Sequence, residues 1–169
     1  MALLELKNLK TFFATKRGTV QAVNGVSYSL DAGKVLGVVG ESGSGKSVSA
    51  MSILRLLDGN GYIDSGEILF NGQDLTKLSM NEMYKIRGNE ISVIFQEPMT
   101  SLNPVFTVSR QISEPLMIHQ GMNKKQAAAK AVELLSDVKI PNPEVVAKQY
   151  PHQLSGGMRQ RVMIAMALA

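Results

Sequence analysis

A glycine-rich loop at residues 40–47 constrains this chain more than any other feature of its sequence. The segment Gly-Glu-Ser-Gly-Ser-Gly-Lys-Ser matches the pattern G-x-x-x-x-G-K-[ST], and it lies between an apolar run at 35–39 and a segment with helical spacing at 46–57. Loops that bind phosphate occur in this context, after a buried strand and before a helix. The sequence therefore predicts an α/β fold built around a phosphate-binding turn, called the phosphate loop below.

The residue types in the phosphate loop suit a nucleoside triphosphate with Mg²⁺. Glycines at 43 and 45 let backbone N–H groups turn inward around a phosphate, and the following helix adds partial positive charge at its N-terminus. Lys46 is predicted to reach the β- and γ-phosphates, and the Ser47 hydroxyl to bind Mg²⁺. A flexible glycine and serine loop with an incidental lysine is the alternative. The predicted nucleotide-binding residues here are Gly40, Glu41, Ser42, Gly43, Ser44, Gly45, Lys46, Ser47 and Val48.

Composition argues against several other kinds of site. Of the 169 residues, 44 % are hydrophobic, which is enough for one sizeable core. No cysteine and only two histidines are present, so thiolate or histidine-rich metal sites are not expected within these residues. The net charge of +4 is spread along the chain, and no run reaches the roughly 20 apolar residues of a membrane span. The N-terminus lacks the pattern of a signal peptide, which predicts a cytoplasmic protein.

Hydrophobic patterns predict strands in the first half of the chain and helices in the second. Alternating or continuous apolar segments predict five strands, at 4–9, 26–30, 35–39, 67–70 and 91–95, of which 35–39 and 91–95 are expected to be buried on both faces. Asn71-Gly72 predicts a tight turn after the fourth of these.

Two caps predict helices after residue 97. Asn123 with Gln126 resembles a capping pair, and Asn142-Pro143 predicts the start of a short helix that runs to about Gln149. We therefore expect three regions: a nucleotide-binding α/β core at 1–96, a helical subdomain at 97–157, and the start of a helix returning to the core at 158–169.

A second glycine turn, Leu-Ser-Gly-Gly-Met at 154–158, precedes the last helical segment. Taken alone, it is a helix start with Ser155 as N-cap. Together with the phosphate loop, and with Arg159-Gln160-Arg161 after it, the turn resembles the signature motif of ATP-binding cassette (ABC) proteins. The resemblance covers nearly the whole chain, in the order phosphate loop, Gln96, helical insert and signature turn. It implies a P-loop NTPase core with an N-terminal antiparallel β subdomain and an inserted α-helical subdomain.

The resemblance also implies that the two glycine turns meet on one nucleotide. In that family two cassettes pair head to tail, and the second cassette would be either the same chain or a related one. Ser155, Gly156 and Gly157 of one subunit would then donate to the γ-phosphate of the ATP that the other subunit holds.

Two further residues acquire roles from the same resemblance. Gln96 would contact Mg²⁺ and the attacking water, so Lys46 and Gln96 are the predicted catalytic residues, and Ser47 and Gln96 the predicted metal ligands. A polar residue that merely ends a strand is the alternative for Gln96. Phe13 lies where such cassettes place an aromatic ring against adenine, although a core role, or the neighbouring Phe12, is an open alternative.

Residues 95–104 and 150–158 closely resemble cassettes that energise bacterial importers of di- and oligopeptides and of nickel. The implied protein is an ATP-binding subunit at the cytoplasmic face of the inner membrane. Its expected partners are a second cassette, membrane permease subunits and, indirectly, an extracytoplasmic peptide-binding protein, with no nucleic acid among them. The residues predicted to face the permease are Met99, Leu102, Val105 and Phe106, with a loop packed on its own core as the alternative.

The chain departs from the family pattern where it stops, at Ala169. The family continues to an aspartate for Mg²⁺, an adjacent glutamate for the attacking water and a later histidine, which are not among these residues. The expectation is that the C-terminal half of the cassette is absent, and that ATP hydrolysis belongs to the full-length parent. A truncated, non-hydrolysing nucleotide-binding module and a soluble cassette outside transport are the alternative functions.

Overall fold

The computed structural model describes residues 2–97 and 101–169, which form two compact units that divide between Met83 and Tyr84. The first unit is built on a β-sheet and the second on helices. This order of a strand-rich half and a helix-rich half agrees with the fold predicted from sequence. The predicted regions 1–96, 97–157 and 158–169 stay predictions.

The first unit contains a four-stranded antiparallel sheet in the order β2-β1-β3-β4. The strand predictions at 4–9, 26–30 and 67–70 are confirmed. The predicted turn is also present, because Asn71 and Gly72 have φ of 50° and 81° and join two paired strands. The strands are β1 (Leu4–Thr15), β2 (Gly18–Leu30), β3 (Gly61–Phe70) and β4 (Gln73–Asp74).

An irregularity in β1 explains how Leu6 and Leu9 can both be buried, although strict alternation would place residues three apart on opposite faces. The pairing register of β1 shifts between these two residues, and Asn8 has a positive φ of 49°. Gly66 on β3 accommodates the shift, because a Cβ there would lie 2.5 Å from the Asn8 carbonyl oxygen. The bulge thus keeps both leucines in the core.

Helix α1 (Lys46–Ile53) follows the phosphate loop, as predicted, but it ends four residues earlier than expected. It ends where Arg55 adopts a left-handed conformation with φ of 52°. A buried hydrogen bond of 2.8 Å between the hydroxyls of Thr11 and Ser52 joins α1 to β1. The sheet therefore fixes the position of α1, the helix that follows the phosphate loop.

The predictions of buried strands at 35–39 and 91–95 are wrong for this structure. Neither segment forms a strand, apart from one bridge at Ile91. Val35 and Val39 are 98 % and 92 % exposed, and Ile94 and Phe95 are about half exposed. A strand buried on both faces needs hydrogen-bonded neighbours and covering layers, and the described residues place neither beside these segments.

Among the described residues of the second unit, four helices and one helical turn lie between Val108 and Ala167, and their shared core includes Ile112, Leu116, Leu135 and Val162. Helix α2 (Met80–Ile86) precedes them at the division between the units. None of the described helices is both long and apolar enough to cross a membrane. The elements of this unit are α3 (Val108–His119), α4 (Lys124–Asp137), α5 (Pro143–Val146), a 3-10 turn (Pro151–Gln153) and α6 (Gly156–Ala167).

The two predicted helix caps differ in outcome. Asn123 and Gln126 form the predicted capping box at the start of α4, with hydrogen bonds of 3.0 and 3.1 Å. The predicted helix start is confirmed, because Asn142 is the N-cap residue of α5 and Pro143 lies in its first turn. Asn142 has a left-handed φ of 48° and makes no side-chain cap hydrogen bond, and α5 ends at Val146 rather than near Gln149. Pro143 alone sets the first turn of α5, because its fixed φ suits that position.

Candidate functional site

The phosphate loop leaves the N-terminus of α1 without a side-chain cap. Gly45, the residue before the helix, has φ of 88° and no side chain to accept from the first-turn N–H groups. Helix geometry gives those groups no partner within the helix. They are therefore available to an outside acceptor, at the end of the helix where the dipole favours an anion.

Glycine is required at positions 43 and 45 for different reasons. A Cβ on Gly45 would lie 2.3 Å from the carbonyl oxygen of Ala22 on β2, so the loop rests directly on the sheet. A Cβ on Gly43 would meet nothing within 4 Å, but its φ of 80° favours glycine. The structure thus has, at Gly43 and Gly45, the backbone without side chains that the sequence predicts for close approach.

The ammonium group of Lys46 lies across the mouth of the phosphate loop. Its Nζ donates to the carbonyl oxygens of Gly40 and Glu41 at 2.8 and 2.5 Å, and to the Ser44 hydroxyl at 3.3 Å. A phosphate would offer the same ammonium a charged acceptor, and charge-assisted hydrogen bonds are roughly twice as strong as neutral ones. Lys46 is therefore placed to exchange loop carbonyls for phosphate oxygens.

The remaining loop residues are open to solvent. Residues 40–44 are exposed, and so is Ser47 at the second position of α1, whose hydroxyl has no hydrogen bond among the described residues. A neutral oxygen in this position is the donor type that Mg²⁺ accepts beside phosphate oxygens. Within the described ranges, no group of three or more histidine, aspartate or glutamate side chains could hold a metal by itself.

The signature turn at 154–158 has a different design. Ser155 caps α6 as predicted, because its hydroxyl accepts from the N–H of Met158 at 3.3 Å. That cap leaves the N–H groups of Gly156 and Gly157 without an intrahelical partner. Both glycines are exposed and helical, neither has a positive φ, and a Cβ on either would meet nothing within 4 Å. The fold of this chain therefore does not need glycine at either position. The open space around both residues points to an outside ligand.

Phe13 and Gln96 lie in different units. Phe13 is half-buried, and its ring packs so closely on Gly61 that a Cβ there would lie 2.7 Å from the ring. Phe12 is edge-on to Tyr62, with centroids 6.2 Å apart, so each of the two phenylalanines has its own contact. Gln96 is exposed at a bend. The structure brings together residues 40–48 in the phosphate loop and the first turn of α1, and residues 155–157 at the start of α6.

The predicted permease-facing segment is only partly exposed. Leu102 is 3 % exposed and belongs to the core of the second unit, so its assignment to a partner surface is wrong. Val105 is 70 % exposed, and the Phe106 ring lies 3.6 Å from the guanidinium carbon of Arg110. Met99 lies outside the described residues. The alternative of a loop packed on its own core is therefore right for Leu102.

Gln111, which is not among the residues predicted from the sequence, organises this segment. Its side chain is buried, with Nε2 donating to the carbonyls of Asn103 and Phe106 at 3.0 and 2.9 Å and Oε1 accepting from the Asn103 N–H at 2.8 Å. The signal in the sequence is a polar residue next to Ile112, inside the apolar stripe of α3. Three hydrogen bonds thus join the Gln111 side chain to the backbone of the loop before α3.

Comparison with known proteins decides the family. Residues 23–169 match the family model described as ABC transporter. The chain belongs to the ABC transporter family. The resemblance of the phosphate loop and signature turn to ATP-binding cassettes is thereby confirmed.

Peptide transport proteins are among the relatives of this ABC chain. The oligopeptide transport ATP-binding protein OppD of Bacillus subtilis (strain 168) is 55 % identical over 168 residues, which are 99 % of this chain and 47 % of that protein. The dipeptide transport ATP-binding protein DppD of Escherichia coli (strain K12) is 50 % identical over 169 residues, 100 % of this chain and 52 % of that protein. The chain spans about half the length of these relatives.

A solved ABC structure confirms the fold. The dimeric ATP-binding cassette MJ0796, in a post-hydrolysis state bound to ADP and Pi, has a TM-score of 0.86 and 30 % sequence identity. The match covers 98 % of this chain and 69 % of that one. The predicted fold class, an ABC ATPase core with an antiparallel β subdomain and a helical subdomain, is therefore correct.

Proposed function

We propose that this chain is the nucleotide-binding part of the ATPase subunit of an ABC importer. The full-length protein would bind and hydrolyse ATP to drive uptake of di- or oligopeptides, or of nickel. One observation carries the proposal: the chain has two glycine turns open to a ligand, and at the signature turn its own fold does not require the glycines. Residues 1–96 would form the nucleotide-binding core, 97–157 the helical subdomain and 158–169 the returning helix.

The phosphate loop would hold the triphosphate. The uncapped amides after Gly45 would surround the β-phosphate, and Lys46 would leave the carbonyls of Gly40 and Glu41 for the β- and γ-phosphates. The backbone N–H groups of residues 40–48 supply most of the contacts, because each hydrogen bond to a charged group contributes about 1.5 to 3 kcal/mol. Phe13 would contact the adenine with the part of its ring that Gly61 leaves uncovered.

Magnesium, when bound, would neutralise phosphate charge and fix the orientation of the γ-phosphate. The Ser47 hydroxyl and the Gln96 amide oxygen are the side-chain ligands that we propose for it. Both residues are exposed and carry neutral oxygens, which suits a site where phosphate oxygens supply the negative charge. Gln96 would also orient the attacking water.

The signature turn would act on the nucleotide of a second cassette, either the same chain or a related one. The free N–H groups of Gly156 and Gly157, beside the positive end of α6, would donate to the γ-phosphate, together with Ser155. Their lack of side chains lets the phosphate approach closely, which explains glycine at positions where this chain alone does not need it. That MJ0796 forms a dimer supports this arrangement.

The relatives support the cargo class and the membrane partner. OppD and DppD are oligopeptide and dipeptide transport ATP-binding proteins, and this chain is 50 to 55 % identical to them. The protein would therefore lie at the cytoplasmic face of the membrane, held by permease subunits that receive peptide from an extracytoplasmic binding protein. The exposed Val105, on the loop that Gln111 fixes, is the proposed permease contact.

Calorimetric titration of Mg-ATP into the Lys46→Ala variant tests the nucleotide site. We expect affinity to fall by roughly 10- to 100-fold, the equivalent of one lost hydrogen bond to a charged group. Lys34→Ala is the matched control, because Lys34 is an exposed lysine just outside the loop. Equal affinity of the two variants for Mg-ATP would overturn the assignment of Lys46 to the nucleotide site. The absence of phosphate release by the full-length protein would overturn the proposal that it hydrolyses ATP.

A further inference from the structure

The segment just before the signature turn is held rigidly. Pro151 is buried and Leu154 belongs to the core of the second unit. The Arg159 Nε donates to the Pro151 carbonyl at 2.7 Å, and the Tyr150 N–H donates to the Gln153 side chain at 2.8 Å. These contacts fix the backbone of residues 150–154 relative to the start of α6.

Two rings project from this rigid segment. Tyr150 and His152 are stacked, with centroids 5.8 Å apart and planes 13° from parallel. Both are exposed, Tyr150 by 39 %. No residue in the described part of the chain hydrogen-bonds the imidazole nitrogens of His152. The stack therefore presents an oriented imidazole with unused hydrogen-bonding capacity.

This inference rests on the proposed function, in which the start of α6 binds the nucleotide of the opposite cassette. The position of Tyr150 and His152 relates the two rings to that nucleotide. If the N–H groups at the start of α6 hold the γ-phosphate, the sugar and base must extend away from α6. His152 precedes Ser155 by three residues, a length of chain that spans at most about 11 Å. The rings thus lie within reach of the part of the ligand beyond its phosphates.

The chemistry of the two rings suits a sugar. Of the neighbouring cations, the Arg159 Nε donates to the Pro151 carbonyl and Arg161 donates to the Lys139 carbonyl at 2.6 Å, whereas Lys148, two residues before Tyr150, is exposed. What the surface offers is an aromatic face and imidazole nitrogens, which can both donate and accept. A ribose, with its hydroxyl groups and apolar carbon face, has the complementary chemistry.

We propose that His152, held by Tyr150, hydrogen-bonds a ribose hydroxyl of the nucleotide that the opposite cassette binds. The signature-bearing subunit then recognises the sugar as well as the γ-phosphate. His152 is a specificity residue for ribonucleotides and takes no part in the chemical step. Because such a contact is equal in the ground and transition states, its loss raises KM and leaves kcat unchanged.

The test compares ATP with 2′-deoxy-ATP and 3′-deoxy-ATP as substrates of the full-length protein. For the wild type, we expect one deoxy analogue to raise KM roughly two- to ten-fold, the effect of one neutral hydrogen bond. His152→Phe keeps a ring against Tyr150 but removes both nitrogens. It should raise KM for ATP by a similar factor, leave kcat unchanged and abolish the discrimination between ATP and that analogue.

The control is His119→Phe, which changes the only other histidine of the sequence, outside the signature turn. It should keep the wild-type discrimination. The proposal is overturned if the wild type uses both deoxy analogues as well as ATP, or if His152→Phe still discriminates between them. The wild-type measurement does not depend on how any variant folds. Failure of the proposed function would look different, since wild-type protein would then show no ATP-dependent activity at all.

Discussion

Replacing Gly157 by alanine should separate the needs of the fold from those of the ligand. Gly157 is the second residue of α6, its φ is not positive, and a Cβ there would meet nothing within 4 Å. Alanine is more favourable than glycine in a helix by up to about 1 kcal/mol, and less so in the first turn. The free energy of unfolding should therefore stay unchanged or rise by less than about 1 kcal/mol.

Gly45→Ala provides the contrast within the same chain. Its Cβ would lie 2.3 Å from the Ala22 carbonyl oxygen, and its φ of 88° disfavours any side chain. The left-handed conformation alone costs alanine about 1 to 2 kcal/mol, and the clash adds to this. We expect Gly45→Ala to lose at least that much stability, whereas Gly157→Ala loses none.

The assay combines urea denaturation with sedimentation of the full-length protein in a non-hydrolysable ATP analogue. The methyl group of Gly157→Ala would stand where the γ-phosphate approaches, which removes one or more hydrogen bonds of about 1.5 to 3 kcal/mol each. Nucleotide-dependent dimerisation should weaken by roughly 10-fold or more. A Gly157→Ala protein that loses more than about 1 kcal/mol of stability, or that dimerises like the wild type, would refute the reasoning.

Two further predictions concern the fold. Burial would raise the pKa of Asp74, but hydrogen bonds from Lys77 and Thr76 outweigh it and hold that pKa below its ordinary value. Asp74→Asn should therefore lower the free energy of unfolding at neutral pH. Urea titrations should show that the difference in this free energy between wild type and variant vanishes as the pH falls through the lowered pKa. A difference that persists in acid would contradict this. Gln111→Leu should cost about 1 to 3 kcal/mol in urea denaturation, because it leaves Asn103 groups unpaired; wild-type stability would show that they find other partners.

Local signals in the sequence predicted local structure well. The phosphate loop, the Ser155 cap and the capping box of Asn123 each depend on residues within a few positions of one another, and all three are present. Family resemblance then predicted the fold class and the family, which the comparisons confirm. The roles assigned to individual site residues stay predictions.

Features that depend on distant neighbours were missed. The apolar run at 35–39 has the composition of a buried strand, but burial requires neighbouring strands that the described residues do not place beside it. Leu102 lies in an irregular segment without a period, so its place in the core could not be predicted. The bulge at Asn8 depends on Gly66, which is far away in the sequence and adjacent in the sheet.

The central claim is that the phosphate loop of one subunit and the signature turn of another share one nucleotide. The most direct test mixes full-length Lys46→Ala with full-length Gly157→Ala and counts the ATP analogue molecules bound per dimer. Each variant alone has two damaged sites, but a mixed dimer has one site whose lysine and glycine are both intact. We predict that neither variant alone forms a stable nucleotide-bound dimer and that the mixture forms one with a single tightly bound nucleotide. For a wild type that pairs with itself in the ATP analogue, a mixture that binds no better than its components would contradict the claim.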